Sequence, residues 1–270
     1  MIVETTTGGV TPVAQLVQEL EETDVVFFGE LHGDTAVHRV ELELLQAMAD
    51  LGRPVVVSLE MFERDVQDTV DAYLADRIDE ERFRAGARPW PRYATDYRPI
   101  VELAKARGWS VVAANVPRSI ASSVSRRGLA ALDSLEAGSR AHAAAEIVCG
   151  EDAYRARFLE QIRSHPGPGG ASDTLATTVA ERFYLAQCVK DETMAESIVN
   201  AIAAAPEAIV VHYTGAFHSD YGYGTVERVL RRAPALRTQV ISSVGIRAAT
   251  GMNDAERGAR ADYIVVVPGR

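Results

Sequence analysis

Polar residues follow four apolar runs of the chain, at the points where β-strands are expected to end. Gly29-Glu30-Leu31-His32 follows the first run, Glu60 the second, Asn115 and Arg118 the third, and Thr214 to His218 the fourth. Ligands of open α/β sheets bind outside the carboxyl ends of the strands. We therefore expect these side chains to line one crevice.

A glycine followed three residues later by a histidine occurs at two of these ends, as Gly29 with His32 and Gly215 with His218. Glycine permits a tight turn after a buried strand, and the histidine can then project over the sheet edge. Two such GxxH pairs in equivalent places are more specific than one.

Imidazole and carboxylate together are typical ligands of a divalent transition metal ion, which can activate water for hydrolysis. His32, His218, Glu30 and Glu60 are the candidate metal ligands, and Glu30 or Glu60 is the candidate catalytic base. A purely structural alternative is that the histidines bond loop backbone while the glutamates cap helices.

Short Val- and Ile-rich runs alternate with amphipathic helical patterns, which predicts an α/β fold with a mainly parallel sheet, helices on both faces and an inserted helical subdomain. One helix is expected to begin with Thr11 as its N-cap and Pro12 as its first residue, and a second is expected to be capped by Asp34. A third helix is expected from Asp96 to Arg107, closed by Gly108. The predicted strands are Asp24–Phe28, Pro54–Leu59, Ser110–Ala114, Ala208–Tyr213, Gln239–Val244 and Tyr263–Val267.

Strand signals vanish between about residues 120 and 199, where Ala, Leu, Glu and Arg dominate. We expect an α/β core formed by residues 1–119 and 200–270, with residues 120–199 as the helical subdomain. The segment Ser164–Ala171 is expected to connect two helices. His142, His165 and His212 are not favoured as ligands.

The composition limits the partners of the chain. Its 270 residues carry 28 basic and 38 acidic side chains, a formal net charge of −10, which argues against nucleic acid. No run approaches 18 apolar residues and the first residues lack a signal-peptide pattern, which favours a cytoplasmic protein without a membrane span. Cys149 and Cys188 are expected to be two buried thiols.

Several segments resemble the ChaN-like haem-binding uptake family, over roughly residues 20–245. The family belongs to a superfamily that also holds the Tiki, TraB and erythromycin-esterase-like proteins. The resemblance implies haem binding and iron uptake, whereas the Tiki branch implies a metal-dependent hydrolytic site. Some relatives are exported or lipid-anchored, and the same would apply here if the chain lacks its first segment. Whether the chain forms a homodimer is left open. The segments are Phe27–His32, Leu59–Phe62, Asn115–Arg118, Ala186–Ala195 and Gly215–His218.

Further candidate ligand-binding residues surround these motifs. The resemblance implies a pocket-lining helix at Lys190, and His38 is expected either to support the site or to lie on a helix surface. Arg118 could pair with a haem propionate or a substrate acid, or form a salt bridge with Glu60. Tyr221 and Tyr223 form an aromatic loop that could cover a flat ligand, or they simply pack.

Three functions therefore compete. The first is a small-molecule binding protein for haem or iron. The second is a metal-dependent hydrolase of the peptidase or esterase type, acting on an acyl or peptide substrate through the paired GxxH motifs. A nucleotide enzyme of the Rossmann type ranks lowest, because Gly29-Glu30-Leu31-His32 is not a glycine-rich phosphate loop.

Overall fold

The computed structural model of the chain describes residues 1–164 and 173–269, with residues 173–177 described by their backbone alone. His165 and most of the predicted connector Ser164–Ala171 lie outside the described residues.

Seven strands form one sheet in the order β1-β7-β6-β2-β5-β3-β4, and only β1 runs antiparallel to its neighbour. This confirms the expected α/β class with a mainly parallel sheet. The strands are β1 (Ile2–Glu4), β2 (Val25–Glu30), β3 (Val55–Glu63), β4 (Ser110–Asn115), β5 (Ile209–Gly215), β6 (Thr238–Gly245) and β7 (Tyr263–Val267).

Fourteen α-helices connect the strands within the described ranges. They are α1 (Val13–Glu19), α2 (Thr35–Met48), α3 (Gln67–Leu74), α4 (Glu80–Ala87), α5 (Tyr93–Asp96), α6 (Arg98–Arg107), α7 (Arg118–Arg127), α8 (Ala130–Asp133), α9 (Ala137–Arg140), α10 (Ala153–Ser164), α11 (Asp173–Ala204), α12 (Thr225–Arg232), α13 (Ile246–Gly251) and α14 (Asp254–Arg260).

Both faces of the sheet are buried, as expected from the continuously apolar strands. Val26 and Phe28 of β2 point into a core shared with α1, α2, α3 and α6. Val25 and Phe27, on the opposite face, pack with the second half of α11 and with α12. Because successive side chains of a strand point to opposite faces of the sheet, the side chains of β2 contribute to two separate cores.

Two helix predictions need correction. Thr11 is not the N-cap of α1, because Pro12 is still extended with ψ at 150° and the helix begins at Val13. The helix expected from Asp96 to Arg107 is interrupted at Tyr97, so that α5 ends at Asp96 and α6 begins at Arg98. The other signals are confirmed: Asp34 Oδ1 accepts from Ala36 N at 2.9 Å, and Gly108 closes α6 with a φ of 67°.

The two cysteines are bonded to each other, which contradicts the expectation of buried thiols. Their sulfur atoms form a disulfide across 39 residues of sequence. The bond ties the segment before α10 to α11, and Cys188 packs beside the buried rings of Tyr154 and Tyr184. Among the described residues, none of the helices is both long and apolar enough to cross a membrane. The division of the chain at residues 120 and 199 stays a prediction.

Candidate functional site

The carboxyl ends of β2, β3 and β5 meet at one edge of the sheet. Glu30 pairs with Gly215 in the parallel register of β2 and β5. The two GxxH motifs touch there, because a Cβ on Gly215 would lie 2.8 Å from His32 Nε2, and a Cβ on Gly29 would lie 2.9 Å from Ala216 Cα. Glycine at both positions therefore permits this close approach.

Glu60 lies at the centre of this edge and is fixed by β5. Its Oε2 accepts hydrogen bonds from the Thr214 hydroxyl and the Gly215 amide, each at 2.7 Å. Burial favours the neutral acid, but the charges of His218, His32 and Lys190 outweigh it and lower the pKa of Glu60 to about 2. Glu60 is therefore an anion at neutral pH.

His218 is buried behind Glu60, in the turn that follows β5. Its Nδ1 lies 2.6 Å from Asp191 Oδ1 on α11, and its Nε2 lies 3.5 Å from Glu60 Oε1. Burial favours the neutral ring, yet the two carboxylates prevail and raise the pKa of His218 above its usual value. The ring of His218 therefore lies between two carboxyl groups, those of Asp191 and Glu60.

His32 is the exposed member of the pair, with 46% of its side chain accessible. Its Nδ1 lies 2.5 Å from Glu30 Oε1, and its ring packs edge-on against Trp90 at 5.2 Å between centroids. Partial burial opposes protonation, but the bond to Glu30 and the charge of Glu60 raise the pKa of His32.

Glu30 also faces a second group of side chains behind His32. Tyr97 donates its hydroxyl to Glu30 Oε1 at 2.7 Å, while Oε2 faces the ring of His38 at 3.8 Å. The Nδ1 atom of His38 contacts Glu41 Oε2 at 2.8 Å. His38 is buried, so the alternative of a helix-surface histidine is wrong.

An open cleft of about 340 Å³ lies beside the site, between α7, α10 and α11. Asn115, Arg118 and Lys190 supply polar atoms to its wall, and Trp90, Phe158 and Phe183 supply aromatic rings. Tyr221 and Tyr223 are not among its lining residues; their rings stack on each other, and Arg157 lies over the ring of Tyr221.

Arg118 and Asn115 play different parts in this wall. Arg118 is exposed at the first position of α7 and forms no ion pair with another described residue. The alternative of a salt bridge with Glu60 is wrong, because Glu60 is bonded to β5 and approached by His218. Asn115 donates to the backbone oxygen of Glu60 at 3.1 Å, so it positions β3.

Sequence reasoning leaves three residues out of the candidate site: Glu41, Asp96 and Asp191. All three are buried. Glu41 has a readable signal, since it occupies an apolar-face position of α2, four residues after Val37 and four before Leu45. Asp191 has none, because Lys190-Asp191-Glu192 resembles a solvated helix face.

A sequence model described as haem-binding uptake, Tiki superfamily, ChaN matches residues 16–229. The chain belongs to this ChaN family. The match includes all five segments on which the resemblance rests, so the resemblance is confirmed.

Two solved structures are similar to the chain in fold. A structure described as cofacial haem binding to ChaN of Campylobacter jejuni superposes with a TM-score of 0.73 at 16% identity, covering 97% of this chain and 94% of that one. The type III effector HopBA1 gives 0.52 at 12% identity, covering 96% and 94%. At these identities the likeness shows the fold alone.

The curated relative is RETICULATA-RELATED 5, a chloroplastic protein of Arabidopsis thaliana. It is 25% identical over 235 residues, which are 80% of this chain and 30% of the relative. The chain therefore spans about a third of the length of that protein.

Proposed function

We propose that this ChaN-family chain binds haem for iron uptake, in the cleft beside His32. The observation that carries the proposal is a half-exposed imidazole in contact with Trp90, which itself lines the cleft. Histidine is an accepted axial ligand of haem iron. The cofacial haem binding of the Campylobacter ChaN protein supports the same ligand class.

The cleft has the chemistry that a flat apolar ring with acidic groups requires. Trp90, Phe158 and Phe183 offer aromatic surface, and the ring of Phe183 is nearly half exposed. Arg118 and Lys190 place two cations at the same wall. A guanidinium can bind a propionate through two parallel hydrogen bonds, whereas an ammonium acts as a point charge.

The contact with Glu30 orients the ring of His32, which is the proposed ligand of the haem iron. A carboxylate 2.5 Å from Nδ1 favours the tautomer with the proton on that nitrogen, so Nε2 would be the nitrogen that binds the iron. Glycine at position 215 lets the ring of His32 approach the backbone at the end of β5 closely. When bound, haem would supply the iron, while this chain would hold the ring plane and exclude competing bases.

A metal-dependent hydrolase is the second candidate function, favoured by one observation. Glu60 stays ionised in a buried position 3.5 Å from His218, and a second carboxylate, Asp191, holds the other ring nitrogen. This is an arrangement in which a carboxylate and an imidazole can move a proton. The arrangement does not identify a substrate.

One experiment separates the two functions. The purified protein is analysed for metals and its visible spectrum is recorded before and after addition of ferric haem. A Soret band that saturates on titration supports haem binding. Bound transition metal, no haem spectrum, and hydrolysis of an ester or peptide panel that Glu60→Gln abolishes in a folded protein would support the hydrolase instead.

A further inference from the structure

Three buried side chains behind the proposed haem cleft form a compact donor set. Glu30 ends β2, and His38 and Glu41 lie three residues apart on α2, so both helix residues face the same strand end. One ligand atom from each residue lies within 4.8 Å of the other two. Among the described residues, this is the one group of three His, Cys, Asp or Glu side chains that meets that limit.

The carboxylates of this set are short of hydrogen-bond donors. Glu30 Oε2 and Glu41 Oε1 are buried and have no hydrogen-bond partner among the described residues. A buried anionic oxygen without a donor is costly, and two such groups facing each other repel. A cation is therefore needed here, either a proton or a metal ion.

The surroundings favour a metal ion. His38 Nε2 lies 3.3 Å from Asp96 Oδ2, and Arg92 donates to the same oxygen at 2.7 Å. A histidine that ligates a metal through one ring nitrogen almost always gives the other to a carboxylate or carbonyl. Nε2 of His38 has no hydrogen-bond partner among the described residues, and Asp96 is the carboxylate that lies beside it, while Nδ1 faces Glu30 and Glu41.

The remaining distances lie on either side of the spacing between two donors on one metal ion. His38 Nδ1 lies 2.8 Å from Glu41 Oε2 and 3.8 Å from Glu30 Oε2. Two donors on one tetrahedral zinc ion are separated by about 3.3 Å, which follows from metal–donor distances of about 2.0–2.1 Å. Tyr97 occupies Glu30 Oε1, which leaves Oε2 for the ion. Two carboxylates and a neutral imidazole balance the charge of a divalent cation.

We propose that Glu30, His38 and Glu41 bind one divalent transition metal ion such as Zn²⁺, Mn²⁺ or Fe²⁺. One imidazole and two carboxylates, with no thiolate, suit this group of ions. The site lies behind the haem cleft and does not require haem. It would also fix Glu30, and through Glu30 Oε1 the orientation of His32.

The test uses the full chain, unfolded with a chelator, refolded with Zn²⁺, Mn²⁺ or Co²⁺, and then desalted. Elemental analysis is expected to give one ion per chain for the parent, and Co²⁺ is expected to give a visible ligand-field band. Glu41→Gln keeps the shape and removes an anionic ligand, so metal affinity is expected to fall at least about tenfold. Glu43→Gln, an exposed change two residues along α2, is the matched control.

The change in Tm on adding metal distinguishes a bound metal ion from a proton shared by the two carboxylates. The parent and Glu43→Gln are expected to gain in Tm, and Glu41→Gln is not. A parent that refolds without binding any of the three ions, or a Glu41→Gln variant that binds as the parent does, would overturn the proposal. In that case a shared proton is the cation, and Glu41→Gln should be more stable than the parent at neutral pH. Haem titration of the same samples tests the haem cleft separately.

Discussion

The ring of His32 lies directly against Gly215, so that a Cβ at position 215 would stand 2.8 Å from Nε2. Each residue belongs to a different GxxH motif, one after β2 and one after β5. The glycine of one motif thus makes room for the histidine of the other. The two motifs form one structural unit because parallel pairing places their strand ends side by side.

Alanine at the two motif glycines should have different effects. Gly215 has a φ of −59°, which alanine adopts without strain, and the nearest atoms to the added methyl would be those of the His32 ring. Gly215→Ala is expected to cost less than about 1 kcal/mol of stability but to weaken haem binding. Gly29→Ala would meet the backbone of Ala216 and is expected to cost about 1–3 kcal/mol. Urea unfolding and haem titration of both variants check this, and equal stability losses would contradict it.

Arg118 is expected to act on the ligand and not on the fold. Since it is exposed and forms no ion pair with another described residue, Arg118→Lys should leave Tm nearly unchanged. Loss of the two-point contact with a propionate should reduce haem affinity roughly tenfold, or about 1.4 kcal/mol. Arg127→Lys, at the other end of α7, is the control. A fall in Tm without a change in affinity would assign Arg118 a structural role.

The disulfide between Cys149 and Cys188 should contribute to stability because it closes a loop across 39 residues. Chain-entropy estimates give about 4 kcal/mol for a loop of this length. Urea unfolding with and without a reductant measures the difference. The double variant Cys149→Ser with Cys188→Ser should show no effect of the reductant. Two reactive thiols in the denatured, unreduced protein would mean that the bond does not form.

His212 should make the protein less stable in mild acid. It lies fully buried in β5, where burial lowers its pKa to about 4 and Ser58 is its hydrogen-bond partner. Between its unfolded pKa, near 6.5, and about 4, the unfolded chain binds the extra proton, so stability falls as pH falls. The loss from this residue is expected to approach about 3 kcal/mol between pH 7 and pH 4. The free energy of unfolding is measured against pH for the parent and for His212→Gln, and the difference between the two profiles gives the contribution of His212. Identical profiles would contradict the assignment.

Much of the sheet can be predicted from the sequence, because buried parallel strands are short continuous runs of Val and Ile. The predicted limits of the strand Tyr263–Val267 are the observed ones. The other five predicted strands extend beyond their predicted ends, so that β2 includes Glu30, β3 includes Glu60 and β5 includes Gly215, since these residues still continue the strands. The three-residue strand β1 is not predicted because it is too short to show a period.

The candidate site can be predicted in part. The approach of His32, Glu60 and Gly215 follows from the strand-end rule, which needs only the order of apolar runs. The buried partners do not follow from it. Asp191 reaches His218 from a helix far along the chain, and Cys149 reaches Cys188 across a long loop. Contacts of this kind depend on how helices pack, which no local pattern encodes.

His32 is proposed to present a haem ligand at the cleft, and ferric-haem titration followed at the Soret band measures this role. The parent is compared with His32→Ala and with His142→Ala, a histidine outside the candidate site. The parent and His142→Ala are expected to saturate alike, while His32→Ala loses at least about tenfold in affinity and changes the band position. If the parent binds no haem, or if His32→Ala binds it with unchanged affinity and spectrum, the assignment of this site is wrong.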